Sequence, residues 1–291
     1  MISFILNLLR FSNILNATED NRLFIQEHNN KNLSFTVAEN QFIDRIYHNE
    51  FYEGNNHLLK RDLSNVIHIE LNDTIPENYD WRKYHKVSSV KNQGKCGSCW
   101  AFSATQAVEG AWAIKHDVLF NLSQQELVDC SYENKGCNGG SMTQAFEFII
   151  ENGLCTNLSY PYVARQDECQ KDQCESVVKL SNYSDIEENN EKVLKRAVYQ
   201  QPVSVAIQAN KRSFQMYQSG IYSDLDCGFQ LDHGVLLVGY GYDLLNDMDY
   251  WIIKNSWGPQ WGENGYIRIQ RNINDERGLC GVAMQPSIPI V

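Results

Sequence analysis

The 291-residue chain has no run of about 18 apolar residues, the length a helix needs to cross a bilayer. It also lacks an excess of basic groups: 25 Lys and Arg stand against 36 Asp and Glu, a formal net charge of −11. Such a chain has no broad positive surface to set against phosphates, so nucleic acid is not an expected partner. Internal repeats and low-complexity tracts are absent. Proline is scarce at 6 residues, and every Pro, all 6 Trp and all 9 Cys lie after Thr74. Residues 18–74 are instead rich in Asn, His, Glu and Lys. This break in composition marks a boundary near residues 70–76.

The chain start is also poor in what a secretory signal needs. Ile2 to Leu9 is a short apolar run, interrupted by Asn7, followed by Arg10 and preceded by no basic residue. A signal has a charged start and a clean apolar core of roughly 7–15 residues. Residues 1–17 therefore read as either a weak signal or an irregular start.

The hydrophobic fraction of 43% and charged fraction of 21% suit a globular protein with sizeable cores. An odd count of 9 cysteines suggests four bridges and one thiol kept apart. Bridges require an oxidising compartment. Six Asn-x-Ser/Thr sequons, beginning at Asn16, Asn32, Asn72, Asn121, Asn157 and Asn182, point to the same route.

Apolar spacing from Trp100 to His116 predicts a helix buried on most sides. Ser123-Gln-Gln-Glu126 reads as a capping box ahead of a short helix. Thr143 to Asn152, stopped by Gly153, and Glu191 to Gln201, stopped by Pro202, read as two more. Strands are predicted over Val203–Ala209, Gly234–Tyr240, Tyr250–Lys254 and Tyr266–Arg271. Helices first and strands after imply an α+β chain in two halves, with a cleft between them.

The most informative string is Gln93-Gly-Lys-Cys96-Gly-Ser-Cys99-Trp100-Ala-Phe-Ser103. Cys99 opens the buried helix, where the partial positive charge of a helix N-terminus stabilises a thiolate. A thiolate is the attacking form of cysteine. Two other readings of Cys96-x-x-Cys99 stand beside this one: half of a zinc site, or a redox pair. The first wants a second Cys/His pair at matching spacing, and the second a βαβ context. His233 opens an apolar strand and Asn255 ends another, 134 and 156 positions after Cys99. Alone, each is an ordinary structural residue.

Together with Gly136-Cys-Asn-Gly-Gly140, Leu231–Gly241 and Tyr250–Tyr266, these residues resemble the papain and cathepsin L family of cysteine peptidases. The resemblance runs from about residue 20 to the C-terminus. It implies an α+β, papain-like fold: a helical half (about 84–185), a β-barrel-like half (about 186–281), and a helical inhibitory propeptide over 18–74. Residues 75–291 would then be the peptidase, with cleavage near Thr74–Ile75.

The resemblance assigns roles. Cys99 is the nucleophile, His233 the general acid and base, Asn255 the group that orients the imidazole, and Gln93 the side-chain oxyanion donor. Gly139 and Gly140 form the edge that meets the substrate backbone. Met142, Ala206, Leu231 and Gln285 line the main selectivity pocket, where an apolar substrate side chain is expected. Asp232 borders the site, and Trp257 shields the His–Asn bond. The same likeness implies Cys96–Cys137, Cys130–Cys169 and Cys227–Cys280; Cys155–Cys174 is what remains. Asn21, Ile25 and Asn29 match the end of a propeptide helical motif, whose first part is absent. Ala38-x-Asn40-x-Phe42-x-Asp44 matches a second motif.

The expected activity is endopeptidase action on peptides and proteins, without metal or cofactor; the alternative is a catalytically silent papain-like binding protein. The chain's own propeptide and cystatin-like inhibitors are the implied partners, a monomer the implied state, and a lysosome, vacuole or the cell exterior the implied location.

Overall fold

The computed structural model describes residues 2–50, 58, 66–67 and 74–291. The rest of the predicted propeptide, with the Asn72 sequon, lies outside the described residues. The elements are α1 (Ile2–Asn29), β1 (Phe35–Val37), β2 (Val66–Ile67), β3 (Tyr79–Asp80), α2 (Cys99–His116), α3 (Gln124–Cys130), α4 (Met142–Asn152) and β4 (Asn182–Ile186). There follow α5 (Glu191–Gln200), β5 (Val203–Ile207), α6 (Arg212–Gln215), β6 (Tyr217–Tyr222), β7 (His233–Asp243), β8 (Met248–Lys254), β9 (Tyr266–Gln270) and β10 (Ser287–Ile290). Among the described residues, no helix is long and apolar enough to cross a membrane.

The residues form these elements for local reasons. α2 is buried over most of its surface, as its near-continuous apolar run requires, and stops at Asp117 in a left-handed turn. α4 ends at Gly153, which adopts φ 74°. Asn190 caps α5, its side chain accepting from the N–H groups of Lys192 and Val193. The predicted capping box at α3 is only half formed. Ser123 Oγ accepts from Glu126 N–H at 3.0 Å. The Glu126 carboxylate instead accepts from Cys155 N–H at 2.8 Å, because the chain returns beside it there.

Two clusters of buried apolar residues divide the molecule. One gathers Trp100, Leu127, Phe146 and Ile149 around α2 and α4. The other gathers Val203, Leu237, Trp251 and Ile267 in the sheet. The sheet runs β1-β6-β9-β8-β7-β5-β10-β4-β2, with β3 on β7. β4 straddles the expected boundary at about residue 185 and pairs with β10, which lies after the expected end of the β half at about 281.

The N-terminal segment is held by specific polar contacts. Asn21 Nδ2 donates to the carbonyls of Ile43 and Arg45, both at 2.8 Å. Asn29 donates to Val37 O at 2.9 Å and accepts from Val37 N–H at 3.0 Å. A side-chain amide can serve both backbone groups of a strand residue at once. The same segment docks on the rest of the chain through β1, which pairs with β6. That approach needs Gly220: a side-chain carbon there would fall 2.8 Å from Phe35 Cα. Phe35 is buried against Tyr217 and Tyr222. Arg212 is gripped by Asp20 at 2.9 Å and Glu50 at 2.8 Å.

The structure contains four disulfides: Cys96–Cys137, Cys130–Cys169, Cys155–Cys174 and Cys227–Cys280. Cys99 is the free cysteine. Glu126 lies near the Cys155 and Cys174 sulfurs, but these are bonded to each other and offer no thiolate to a metal.

Candidate active site

Helix α2 and strand β7 set the site. Ser103 Oγ donates to Val235 O at 2.7 Å, which presses the first turns of α2 against the start of β7. Cys99 and His233 begin these two elements, and Gly234, the residue after His233, turns its backbone N–H to Cys99. A side-chain carbon on Gly234 would lie 3.2 Å from both Cys99 O and Met142 Sδ, a close approach of β7 to the start of α2. The zinc and redox readings of Cys96 fail, because Cys96 is bonded to Cys137 and not to Cys99.

His233 is clamped from two directions. Its Nε2 meets Asn255 Oδ1 at 2.7 Å. Its ring stacks on Trp257 with centroids 4.7 Å apart. Since Asn255 Oδ1 can only accept, Nε2 carries the proton and the neutral ring keeps its lone pair on Nδ1. Nδ1 has no partner in the structure. Asn255 Oδ1 also accepts from Ser256 N–H at 2.8 Å, which fixes the amide's orientation.

Gln93 is fixed as well. Its Oε1 accepts from Ser256 Oγ at 2.6 Å, and its backbone N–H donates to Ser256 O at 2.8 Å. One Nε2 hydrogen goes to Cys96 O at 2.9 Å, leaving the second hydrogen unassigned. Ser256 thus links the Asn255 arm to the Gln93 arm. Sequence reading passed over Ser256, although it lies directly after Asn255.

Burial dominates the electrostatics of the covered site. It pushes the Cys99 thiol up to about 11, against backbone N–H groups of Gly234, Trp100 and Cys99 that favour the thiolate. It pulls the His233 imidazole down to about 4, against the Asn255 hydrogen bond. The expected thiolate is therefore disfavoured in this form, where Cys99 and His233 are 2% and 1% exposed. The N-terminal segment lies over the same place. Phe42 packs edge-on against Trp257 at 4.9 Å, Gln41 Nε2 donates to Trp257 O at 2.9 Å, and Leu58 pairs with Gly140.

The remaining residues take defined positions. Gly140 cannot carry a side chain, since its first carbon would fall 2.6 Å from the Trp100 indole. Gly139 adopts φ 108°. Met142, Ala206 and Leu231 share one apolar cluster. Gln285 is half-buried beside Met284, and Met284 shares the Gly281 corner with Leu231. Met284 therefore neighbours Leu231, a contact the sequence did not indicate. Asp232 is half-buried and turns Oδ1 onto Ala209 N–H at 2.7 Å. Burial raises its carboxyl to about 7.

Residues 75–290 match the family described as papain family cysteine protease. The chain belongs to the papain family. Within it, the probable cysteine protease RD21B of Arabidopsis thaliana is 48% identical over 283 residues, which cover 94% of this chain and 59% of that protein. The chain thus spans about three fifths of the length of that relative and of RD21A from the same plant. Among solved structures, the proform of the Amb a 11 cysteine protease, a ragweed pollen allergen, aligns with a TM-score of 0.85 at 38% identity, covering 96% of this chain and 88% of that one. Digestive procathepsin L 3 of Tenebrio molitor aligns with 0.88 at 40%, covering 97% and 93%. The papain-like fold, with its helical and sheet-rich parts and proform arrangement, is therefore that of this chain.

Proposed function

We propose that this chain is a latent cysteine endopeptidase whose N-terminal segment, residues 18–74, is its own inhibitor. One observation carries the reading: the sole free thiol opens α2 against the backbone N–H of Gly234, and the imidazole of the preceding residue, His233, has its Nε2 tied to an amide. Once uncovered, the Cys99 proton passes to His233 Nδ1 and the thiolate attacks the scissile carbonyl carbon. The C=O electron pair moves to oxygen, which the N–H of Cys99 and the second Nε2 hydrogen of Gln93 receive. The C–N bond then breaks as His233 returns the proton to the leaving amine, giving a thioester. Water, deprotonated by His233, releases the acid and restores the thiol. Asn255 keeps Nδ1 facing the sulfur throughout, and Trp257 keeps water from the His–Asn bond.

Met142, Ala206 and Leu231 support preference for an apolar side chain two residues before the cut. Four disulfides support an oxidising compartment: a lysosome, a vacuole or the cell exterior. The full chain, treated to remove residues 1–74, is expected to hydrolyse dipeptide reporters with Leu or Phe at that position in preference to Arg. A thiol-directed epoxide should label Cys99 at the same time. Absence of both hydrolysis and labelling after clean removal rejects the proposal.

Release should be favoured by acid. His28 on α1 lies buried between Phe24 and Phe35, with Nε2 unpartnered. Burial lowers its pKa below 6.5, with Lys31 also lowering it, while the Phe35 backbone and Asp224 oppose the shift. The docked segment therefore binds fewer protons at this site than the undocked one. Docking strength is fully present above 6.5 and is lost as pH falls from there toward the lowered value. His28→Phe keeps a ring but takes no proton, so its pH midpoint for segment release should move lower. An unchanged midpoint removes His28 from the account.

A further inference from the structure

Resting on that functional reading, we propose that Tyr162 is a positioning residue for the oxyanion site, tying Gln93 to the helix start that carries the other donor. The two donors come from different pieces of chain. Cys99 N–H belongs to α2, whereas Gln93 sits in the irregular segment before it. Gln93 is held on the sheet side by the backbone and hydroxyl of Ser256. On the helical side, the backbone of Gln93 is held by Tyr162.

The hydroxyl of Tyr162 donates to Gln93 O at 2.8 Å. A phenol has one hydrogen, so Ser98 Oγ, 2.7 Å away, must donate to it. The result is one directed chain, Ser98 to Tyr162 to the carbonyl of Gln93. Ser98 immediately precedes Cys99 and is fully buried. The phenol therefore sets the spacing between the Gln93 backbone and the N-terminus of α2. Its ring stands edge-on to Phe102 at 4.9 Å, one turn into the same helix. Burial pushes its pKa up to about 12, so the hydroxyl stays a donor at any working pH.

The segment that brings Tyr162 is itself fixed. Tyr162 N–H donates to Asn157 Oδ1 at 3.3 Å and Val163 N–H to Gln125 Oε1 at 2.9 Å. Cys155–Cys174 and Cys130–Cys169 pin that segment to itself and to α3. Without the hydroxyl, the Gln93 backbone loses its hold on the helical side, the Nε2–Cys96 O bond alone remains there, and Nε2 shifts off the oxyanion.

The test uses the full chain, activated by removing the N-terminal segment with a protease of another class. Loss of a whole oxyanion donor lowers kcat by about 100–1000-fold, so partial misplacement should lower it by about 10-fold. Tyr162→Phe, which keeps the ring, is expected to reduce kcat to that extent with KM unchanged. Alkylation of Cys99 should stay at the wild-type rate, which shows an intact fold and nucleophile. In a Gln93→Ala background, Tyr162→Phe should produce no further loss, because the donor it positions is gone. Ser98→Ala, cutting the chain at its other end, should reproduce part of the kcat effect. Unchanged kcat in Tyr162→Phe overturns the proposal, as does an equal loss in the Gln93→Ala background. An activated wild-type chain with no peptidase activity overturns the functional reading as well.

Discussion

Cys99→Ala and His233→Ala are each expected to lower kcat by about a million-fold, and the double variant to lower it little further. The reason is geometric. In the proposed mechanism the sulfur and Nδ1 of His233 act on one proton, so removing either disables the other. Nδ1 is the unpartnered nitrogen because Nε2 is held by Asn255 at 2.7 Å. What remains in all three variants is the proposed pair of oxyanion donors and the cleft, which should support the same residual rate. Single-turnover hydrolysis of one reporter by activated forms of all variants would measure this. Losses that multiply in the double variant, or a single loss of only about ten-fold, would show that the two side chains do not work as a unit.

Glu109→Ala should destabilise the fold by about 3–5 kcal/mol, well beyond the loss expected from removing one member of an exposed ion pair. Glu109 lies on α2 with no exposed side-chain surface. It holds Lys91 at 2.6 Å, accepts from Leu122 N–H at 2.8 Å, and accepts from Ser88 Oγ. Ser88 Oγ in turn accepts from Lys254, the residue before Asn255, at 2.9 Å. Burial lowers the Lys254 pKa to about 7, and Glu109 is the charge that holds it up. Removing the carboxylate leaves Lys91 without its partner, drives Lys254 toward its neutral form, and strands buried polar groups. The unfolding midpoint in urea, measured in a Cys99→Ala background so that self-cleavage cannot intervene, should fall accordingly. Adding Lys254→Met should recover part of the loss, since one buried, unpaired amine goes with it. A small loss with no recovery would mean that water reaches this network.

Much of this architecture is legible in the residues themselves. Cys99, His233, Asn255 and Gln93 lie in short strings of unusual composition, and thiol chemistry narrows which residue types can accompany a cysteine at a helix start. α2 and α4 follow from apolar spacing alone. Other features become visible only in three dimensions. Ser256 and Gln93 are 163 positions apart, and no local pattern joins them. Tyr162 lies outside every string singled out in the sequence, and its part emerges only when its hydroxyl is seen between Gln93 and Ser98. β1 is three residues long, too short for alternation to register, and exists because β6 offers an edge with Gly220 in it. Glu126 breaks the capping rule because a distant N–H, that of Cys155, competes for its carboxylate. The thiolate expected at a helix N-terminus is likewise suppressed by cover, a property of the folded chain rather than of the motif.

That suppression gives the most direct test of the account. Burial pushes the Cys99 thiol up to about 11, so the covered chain holds it protonated at pH 7. The rate of alkylation by iodoacetamide should therefore be measured between pH 4 and 10, before and after removal of residues 1–74. The uncovered protein should react at least about 100-fold faster at pH 7 and keep its reactivity well below pH 6, as a thiolate beside an imidazolium does. Equal rates in both forms, rising together only above pH 8, would contradict it.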